Sequence, residues 1–188
     1  MSKLYTDDMG RFPVRSRCGN RYIMLAYHID TNVILVSAFQ SCKDRHRLAA
    51  YNAIMTCLQS KGHSVDLQFL DNEASAKYLR TIVEDWNCTF QLVPPDVHRH
   101  NISEQAIRTF KAHFLSILAG VSGYFSNFLW DQLLPQTELT LNLLCQSTLA
   151  PDISAWEHFN GPFKFYATPI GPIGCPVIIH NKSGTCLS

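Results

Sequence analysis

The chain is 188 residues long, 46% hydrophobic and 16% charged. That composition fits one folded domain with a proper core and a short addition, and it excludes a disordered polyampholyte. The formal net charge of +1 argues against a uniformly basic nucleic-acid binder, but residues 1–21 gather Lys3, Arg11, Arg15, Arg17 and Arg21 against Asp7 and Asp8, and a local basic patch can bind phosphates without a basic total.

In chain order, "KLYTDDMG" begins as a strand and ends at Gly10. "RYIMLAYHID" and "NVILVSAF" are apolar, β-branched and aromatic runs joined at Asp30 to Asn32, which predicts a hairpin. In the following stretch Leu48, Tyr51, Ile54, Met55 and Leu58 recur at helical spacing, and Gly62 ends the helix. "VDLQFL" reads as a strand closing at Asp71, and "SAKYLRTIVEDW" as a helix with Tyr78, Leu79, Ile82 and Val83 inward. "CTFQLV" is the next strand, stopped by Pro94 and Pro95, and "DVHRHN" is a polar loop. A helix from about Ser103 to Ala119 follows.

Three consecutive strands form a meander, and strands separated by helices need crossovers that extend a parallel part. The expected fold class is therefore α/β, a mixed five-stranded sheet flanked by helices, and this element order resembles that of ribonuclease H-like domains. Residues 1–125 would form this core. Residues 126–188 would form a helical extension and an irregular tail leading towards a further module. In that extension Pro135 lies inside a helix or at its start, "SAWEHFNG" gives a short helix, and "PVIIH" is strand-like. The apolar helix at 128–145 suits either an interface or the core.

Seven cysteines are scattered without a CxxC pair, their number is odd, and the opening residues show no secretory leader pattern. Reduced thiols, mostly small core residues, are expected in a nuclear or cytoplasmic protein. His28 and Cys57 sit in apolar segments and read as core. Residues 112–130 lack Asp, Glu, Lys and Arg, but polar residues and glycines interrupt them, so a buried helix and turn are expected rather than a membrane span. No Walker loop, GxGxxG, GxSxG or Cys–His nucleophile pattern occurs.

Four acidic residues stand at three telling positions: Asp7 or Asp8 on the first strand, Asp71 at the end of the fourth, and Glu104 opening the helix after the fifth. Converging carboxylates suit a divalent metal such as Mg²⁺, which prefers oxygen ligands. Each residue also has a plainer reading. Asp71 suits a turn or cap, and Asn101 with Glu104 in "NISE" has capping-box spacing. Glu104, Arg108 and Lys111 share one helix face, which is either a DNA-facing stripe or a solvated ion pair. His98, Arg99 and His100 lack the further ligands a zinc site needs and suit a phosphate-contacting loop better.

Three stretches in order, "YTDDMGRFPVRSRCGNRYIMLAY", "LDNEAS" and "VPPDVHRHNISEQAIRTFKAHF", resemble the DDE catalytic core of retroviral and LTR-retrotransposon integrases. "LWDQLLPQTELTLNLL" and "SAWEHFNGPFKF" resemble the segment that follows the core in copia-like polyproteins. The first match points to Asp7 rather than Asp8. The resemblance implies that Asp7, Asp71 and Glu104 hold Mg²⁺ or Mn²⁺, two ions in all. It also implies that Arg108 and Lys111, with Arg99 and Asn101 in the loop 94–102, contact DNA. The implied activity is that of a polynucleotidyl transferase and endonuclease: 3′-end processing, then strand transfer of element ends into target DNA. Relatives work as homo-oligomers, and no membrane is involved.

The chain departs from the family in its 32 residues between Asp71 and Glu104, which is shorter than usual, and it shows neither an upstream His/His/Cys/Cys pattern nor a downstream DNA-binding domain. It is therefore expected to be a polyprotein fragment or a decayed copy. The alternative function is an inactive or domesticated remnant that binds nucleic acid or protein.

Overall fold

The computed structural model describes residues 1–71, 74–93, 102–173, 175 and 178, the side chains at 71, 102 and 103 excepted. Strand β1 (Lys3–Arg11) lies at the centre of the sheet. It pairs antiparallel with β2 (Tyr22–His28), which pairs antiparallel with β3 (Val33–Phe39). On its other side it pairs in parallel with β4 (Leu67–Asp71), which pairs in parallel with β5 (Thr89–Val93). The sheet order is β3-β2-β1-β4-β5. This is the expected meander with a parallel extension, in a ribonuclease H-like arrangement.

The hairpin turns where the sequence places it, with Asn32 in the left-handed region at φ 59°. Asn tolerates that conformation because its short amide side chain bonds locally. Helix α1 (Asp44–Ser60) buries Leu48, Tyr51, Ile54, Met55 and Leu58 on one face. It stops as predicted: Gly62, at φ 80°, lets the amides of Gly62 and His63 reach back to the carbonyls of Gln59 and Leu58.

Helix α2 (Ala76–Arg80) runs into a π-helical turn, Thr81–Asp85. Tyr78 and Ile82 are buried as expected and Leu79 is half-buried, but Val83 is 47% exposed. The wider π turn breaks the 3.6-residue period that placed Val83 inside.

Helix α3 (Ile102–Gly120) crosses the other face of the sheet, over β1 and β2. Its Ala106, Ile107, Phe110 and Phe114 meet Ile23, Leu25 and Ile34. The 3₁₀ helix Asn127–Leu133 continues into α4 (Leu134–Leu144), with Pro135 in the first turn, where its missing N–H costs nothing. Trp130, Leu133, Leu134 and Leu141 join the same core, so this stretch is core rather than a free apolar face. Helix α5 (Ala155–Asn160) is capped by the Ser154 hydroxyl and buries Phe159 against the α1 side.

Two expectations need correction or fall outside the description. The cysteines are not mostly core: Cys88 is buried, Cys57 and Cys145 are half-buried, and Cys18, Cys42 and Cys175 are exposed, all six as free thiols. Free cysteine is usually a small buried hydrophobe, but Cys18 and Cys42 stand in the polar stretches "SRCGN" and "SCKDR", and local context places them outside. Most of the "PVIIH" run lies outside the described residues. His28 is buried as expected, at 1% exposure. Among the described residues no helix is long and apolar enough to cross a membrane.

Candidate active site

The pleat of β1 separates its two adjacent acids. Leu4 packs with the α1 side of the sheet, and Thr6 accepts a hydrogen bond there from buried Gln68. Asp8 has the same parity, and its Oδ2 lies 2.7 Å from Arg47 Nη2 on α1. Burial pushes the Asp8 carboxyl up, and the Arg47 charge and hydrogen bond offset that only in part. The opposite parity holds Tyr5, Asp7 and Met9. Met9 packs with the α3 side. Asp7 is half-buried, and its Oδ1 accepts the Asp8 amide at 2.7 Å.

The second acid stands on β4, the parallel neighbour of β1. Tyr5 and Phe69 are register partners of the parallel β1–β4 pair, and their rings stack at 4.4 Å. Asp7 and Asp71 each lie two residues beyond that pair, Asp7 midway along β1 and Asp71 at the carboxyl end of β4. Neighbouring strands run about 4.8 Å apart. Asp71 is also paired in register with Val93 of β5, and its side chain lies outside the described residues.

Glu104 occupies the first turn of α3. Its side chain is half exposed, and its Oε1 stands 3.7 Å from Arg108 Nη2. That distance, between two exposed groups, makes a loose i,i+4 pair worth a few tenths of a kcal/mol (~0.3). Lys111, one turn further on, is exposed. Arg99, Asn101, His98 and His100 lie outside the described residues. Among the described residues no group of three or more His, Cys, Asp or Glu side chains could hold a metal ion. The acids at this end of the sheet offer oxygen donors, which suit a hard cation; Cys42 is the one thiol among the described residues lining the cavity beside Asp7 and Asp8.

The sequence did not disclose the support around Asp8. A cavity of about 310 Å³ opens between the sheet, α1 and α2, lined among others by Thr6, Asp7, Asp8, Tyr22, Arg47 and Tyr78. Beneath it the Tyr51 hydroxyl donates to Gln68 Oε1 at 2.5 Å, and Gln68 Nε2 donates to Thr6 Oγ1 at 2.7 Å. Arg47 sits in α1 among polar residues, and only the three-dimensional fold brings it to Asp8. The one signal available was the Asp7–Asp8 doublet itself, since adjacent strand residues must face opposite sides.

No family model and no curated protein matches the chain. Solved structures do match. The simian T-cell lymphotropic virus intasome in complex with PP2A regulatory subunit B56 gamma aligns at a TM-score of 0.64 and 12% identity. That alignment covers 95% of this chain but only 59% of the other. The catalytic core domain of BIV integrase aligns at a TM-score of 0.59 and 10% identity, over 84% of this chain and 92% of that one. The HTLV-2 integrase catalytic core domain in complex with magnesium, in a trimeric form, aligns at 0.58 and 11%, over 84% and 95%. At such identities the likeness is one of fold.

Proposed function

We propose that the chain is an integrase-type catalytic domain, a polynucleotidyl transferase acting on DNA, and that its source is a copia-like LTR retrotransposon. The observation that carries the reading is the placement of Asp7 and Asp71 two residues past the same parallel register pair. The helix that lies over β1 opens with Glu104. Fold alone does not assign chemistry. Acids on three separate elements of this fold do narrow it.

Asp7, Asp71 and Glu104 would hold Mg²⁺ or Mn²⁺. When bound, two such ions supply activation of the attacking oxygen and stabilisation of the leaving one in an in-line displacement at phosphorus. The chain's own residues do the rest. Asp8 pairs with Arg47 on the α1 side of the sheet, whereas Asp7 has the parity of Met9 on the α3 side, the side of Glu104, and would be the donor from β1. The Tyr5–Phe69 stack braces the two strands just below the acids. Arg108 and Lys111 continue the Glu104 face along α3 and would hold phosphates of the DNA backbone, positioning it without reading sequence. Glu104 turning from Arg108 to a cation would release that guanidinium for phosphate. Arg99 and Asn101 belong to the same proposed contact, and a homo-oligomer acting on element ends and target DNA completes it.

The test is a disintegration assay on a branched DNA oligonucleotide with Mn²⁺ or Mg²⁺. Wild type should give metal-dependent product, and Glu104→Gln should reduce it at least ~100-fold with an unchanged melting temperature, since one carboxylate charge is lost from the metal shell. A fully active Gln variant excludes the role of Glu104. No product from a folded wild type leaves a binding remnant.

A further inference from the structure

The loop between β1 and β2, residues 12–21, is fixed in place with unusual thoroughness. The Phe12 ring stacks on Trp130 at 4.4 Å. The Trp130 indole N–H donates to the Val14 carbonyl at 2.8 Å, and the Arg17 amide donates to the Phe128 carbonyl at 2.7 Å. Asn20 Nδ2 donates to Asp131 Oδ2 at 2.9 Å. Within the loop the Ser16 hydroxyl accepts the Asn20 amide, and Gly19 turns the chain at φ 88°. The positive φ favours glycine at that turn.

This rigid loop presents charge outward. Arg15 and Arg17 are exposed and form no ion pair among the described residues. Arg15 Nε is tethered to the Gly19 carbonyl at 3.3 Å. Phe128 stands beside them, 60% exposed. Arg17 and Phe128 together line two adjoining hollows of about 480 and 400 Å³. Arg15, Ser16, Cys18, Gly19 and Gln40 complete the first, and Ser126 and Leu129 the second, and no carboxylate lines either. Uncompensated guanidinium groups favour phosphate. An exposed aromatic ring lining the same hollows favours the face of an unpaired base. An acidic peptide would use the cations but gain little from the ring.

We propose that Arg15, Arg17 and Phe128 form a second nucleic-acid contact, in which the arginines hold phosphates of a single-stranded segment and one base stacks on Phe128. The loop follows Arg11, the last residue of β1, and about 13 Å of strand separates Arg11 from Asp7 at mid-strand. A DNA strand engaged at the carboxylates can therefore continue onto this surface. The choice of DNA rests on the integrase reading; the surface itself does not.

The experiment measures anisotropy of a labelled 20-nucleotide single strand and its duplex across a salt series, using the full chain. Arg15→Ala/Arg17→Ala should weaken single-strand binding at least ~10-fold and lower the salt slope by about 1.4, near 0.7 per phosphate. Phe128→Ala should weaken it about 5- to 30-fold with the slope unchanged. Phe128 contributes its backbone carbonyl, not its ring, to the loop contact, so this variant keeps the anchor. Arg108→Ala/Lys111→Ala is measured in parallel. Loss there with none at Arg15/Arg17 overturns the second contact and leaves the catalytic reading standing. Loss at Arg15, Arg17 and Phe128 from a chain inactive in disintegration supports the contact and removes the enzyme. Full displacement by polyglutamate with no effect of Phe128→Ala overturns the proposal in favour of an acidic polypeptide. Absence of wild-type binding overturns it outright.

Discussion

The two edge strands of the sheet end in opposite ways. β3 is a near-continuous apolar run, with Val33, Ile34, Leu35 and Phe39 all at or below 4% exposure. Such a run normally belongs in a sheet interior, because an edge leaves backbone groups unpaired. Helix α4 resolves the conflict by supplying those partners from side chains. Asn142 Oδ1 accepts the Ile34 amide at 2.9 Å, and its Nδ2 donates to the Ile34 carbonyl at 2.8 Å. Glu138 Oε2 accepts the Val36 amide at 2.9 Å. β5 has no such cover among the described residues: Thr89, Phe90, Gln91 and Leu92 are exposed. A polar residue on a helix can thus stand in for a sixth strand, and where it does the edge becomes core.

Removing the stand-in should have the largest effect. Asn142 is 1% exposed. Asn142→Ala would strand both the amide and the carbonyl of Ile34 in an apolar site and leave a small void. A buried unpaired group costs ~1–3 kcal/mol, so the loss should be about 4 kcal/mol in urea unfolding. A loss below about 1 kcal/mol would mean that water reaches this edge and that α4 merely lies against it.

The second polar partner gives a pH signature. Burial pushes the Glu138 carboxyl up to about 7 from its ordinary 4.5, although the Val36 amide favours the charged form. A raised folded pKa gives stability that is full below 4.5 and is lost as pH rises through 7. His28, held between Ser2 Oγ at 2.7 Å and Thr31 Oγ1 at 2.9 Å, behaves oppositely. Its burial lowers it from 6.5 to about 4, and Asp30, His63 and His158 modulate that. A depressed folded pKa gives stability that is full above 6.5 and is lost as pH falls through 4. Each window is worth up to about 3 kcal/mol, from the linkage of pKa to folding, and the two slopes oppose each other between 4.5 and 6.5. His63 and His113, also lowered by burial, tilt with His28, and Asp8, raised by burial, tilts with Glu138, so wild type should vary less there than the Glu138 variant. Glu138→Gln should unmask the His28 slope, with denaturation midpoints rising from pH 4.5 to 6.5. A profile no steeper than wild type's would remove Glu138 from the accounting.

The covered edge is also where the sequence was least legible. The hairpin, α1 and its glycine stop, and the crossovers follow from local pattern and connection rules, because near neighbours in the chain carry those signals. Asn142 and Glu138 lie 108 and 102 residues from their partners. In "TELTLNLL" they read as the polar side of a helix. Arg47 beside Asp8, 39 residues away by number, was hidden for the same reason. Val83 failed because a π turn has its own period. At the candidate site, the doublet at Asp7 and Asp8 became interpretable only once strand register assigned each acid a face. Arg99 and Asn101 fall outside the described residues, so their part stays with the proposal.

The smallest effect should come from the open edge, and it is the sharpest check on the contrast. Gln91 is exposed on β5, opposite Phe69 in register. Phe90 and Leu92 beside it are 36% and 37% exposed, so neither side of this strand is packed as β3 is. Gln91→Lys removes no described hydrogen bond and adds a charge of the kind that natural edge strands carry against unwanted pairing. Stability should change by less than about 0.5 kcal/mol, as at other uncommitted surface positions. A loss above ~1.5 kcal/mol would show the strand covered in solution. Dependence of that loss on protein concentration would then tell a second copy from cover within the chain. A charge tolerated here, against an asparagine that cannot be spared at β3, would place the stability of the sheet on the side held by α4, away from the strand end that bears Asp71.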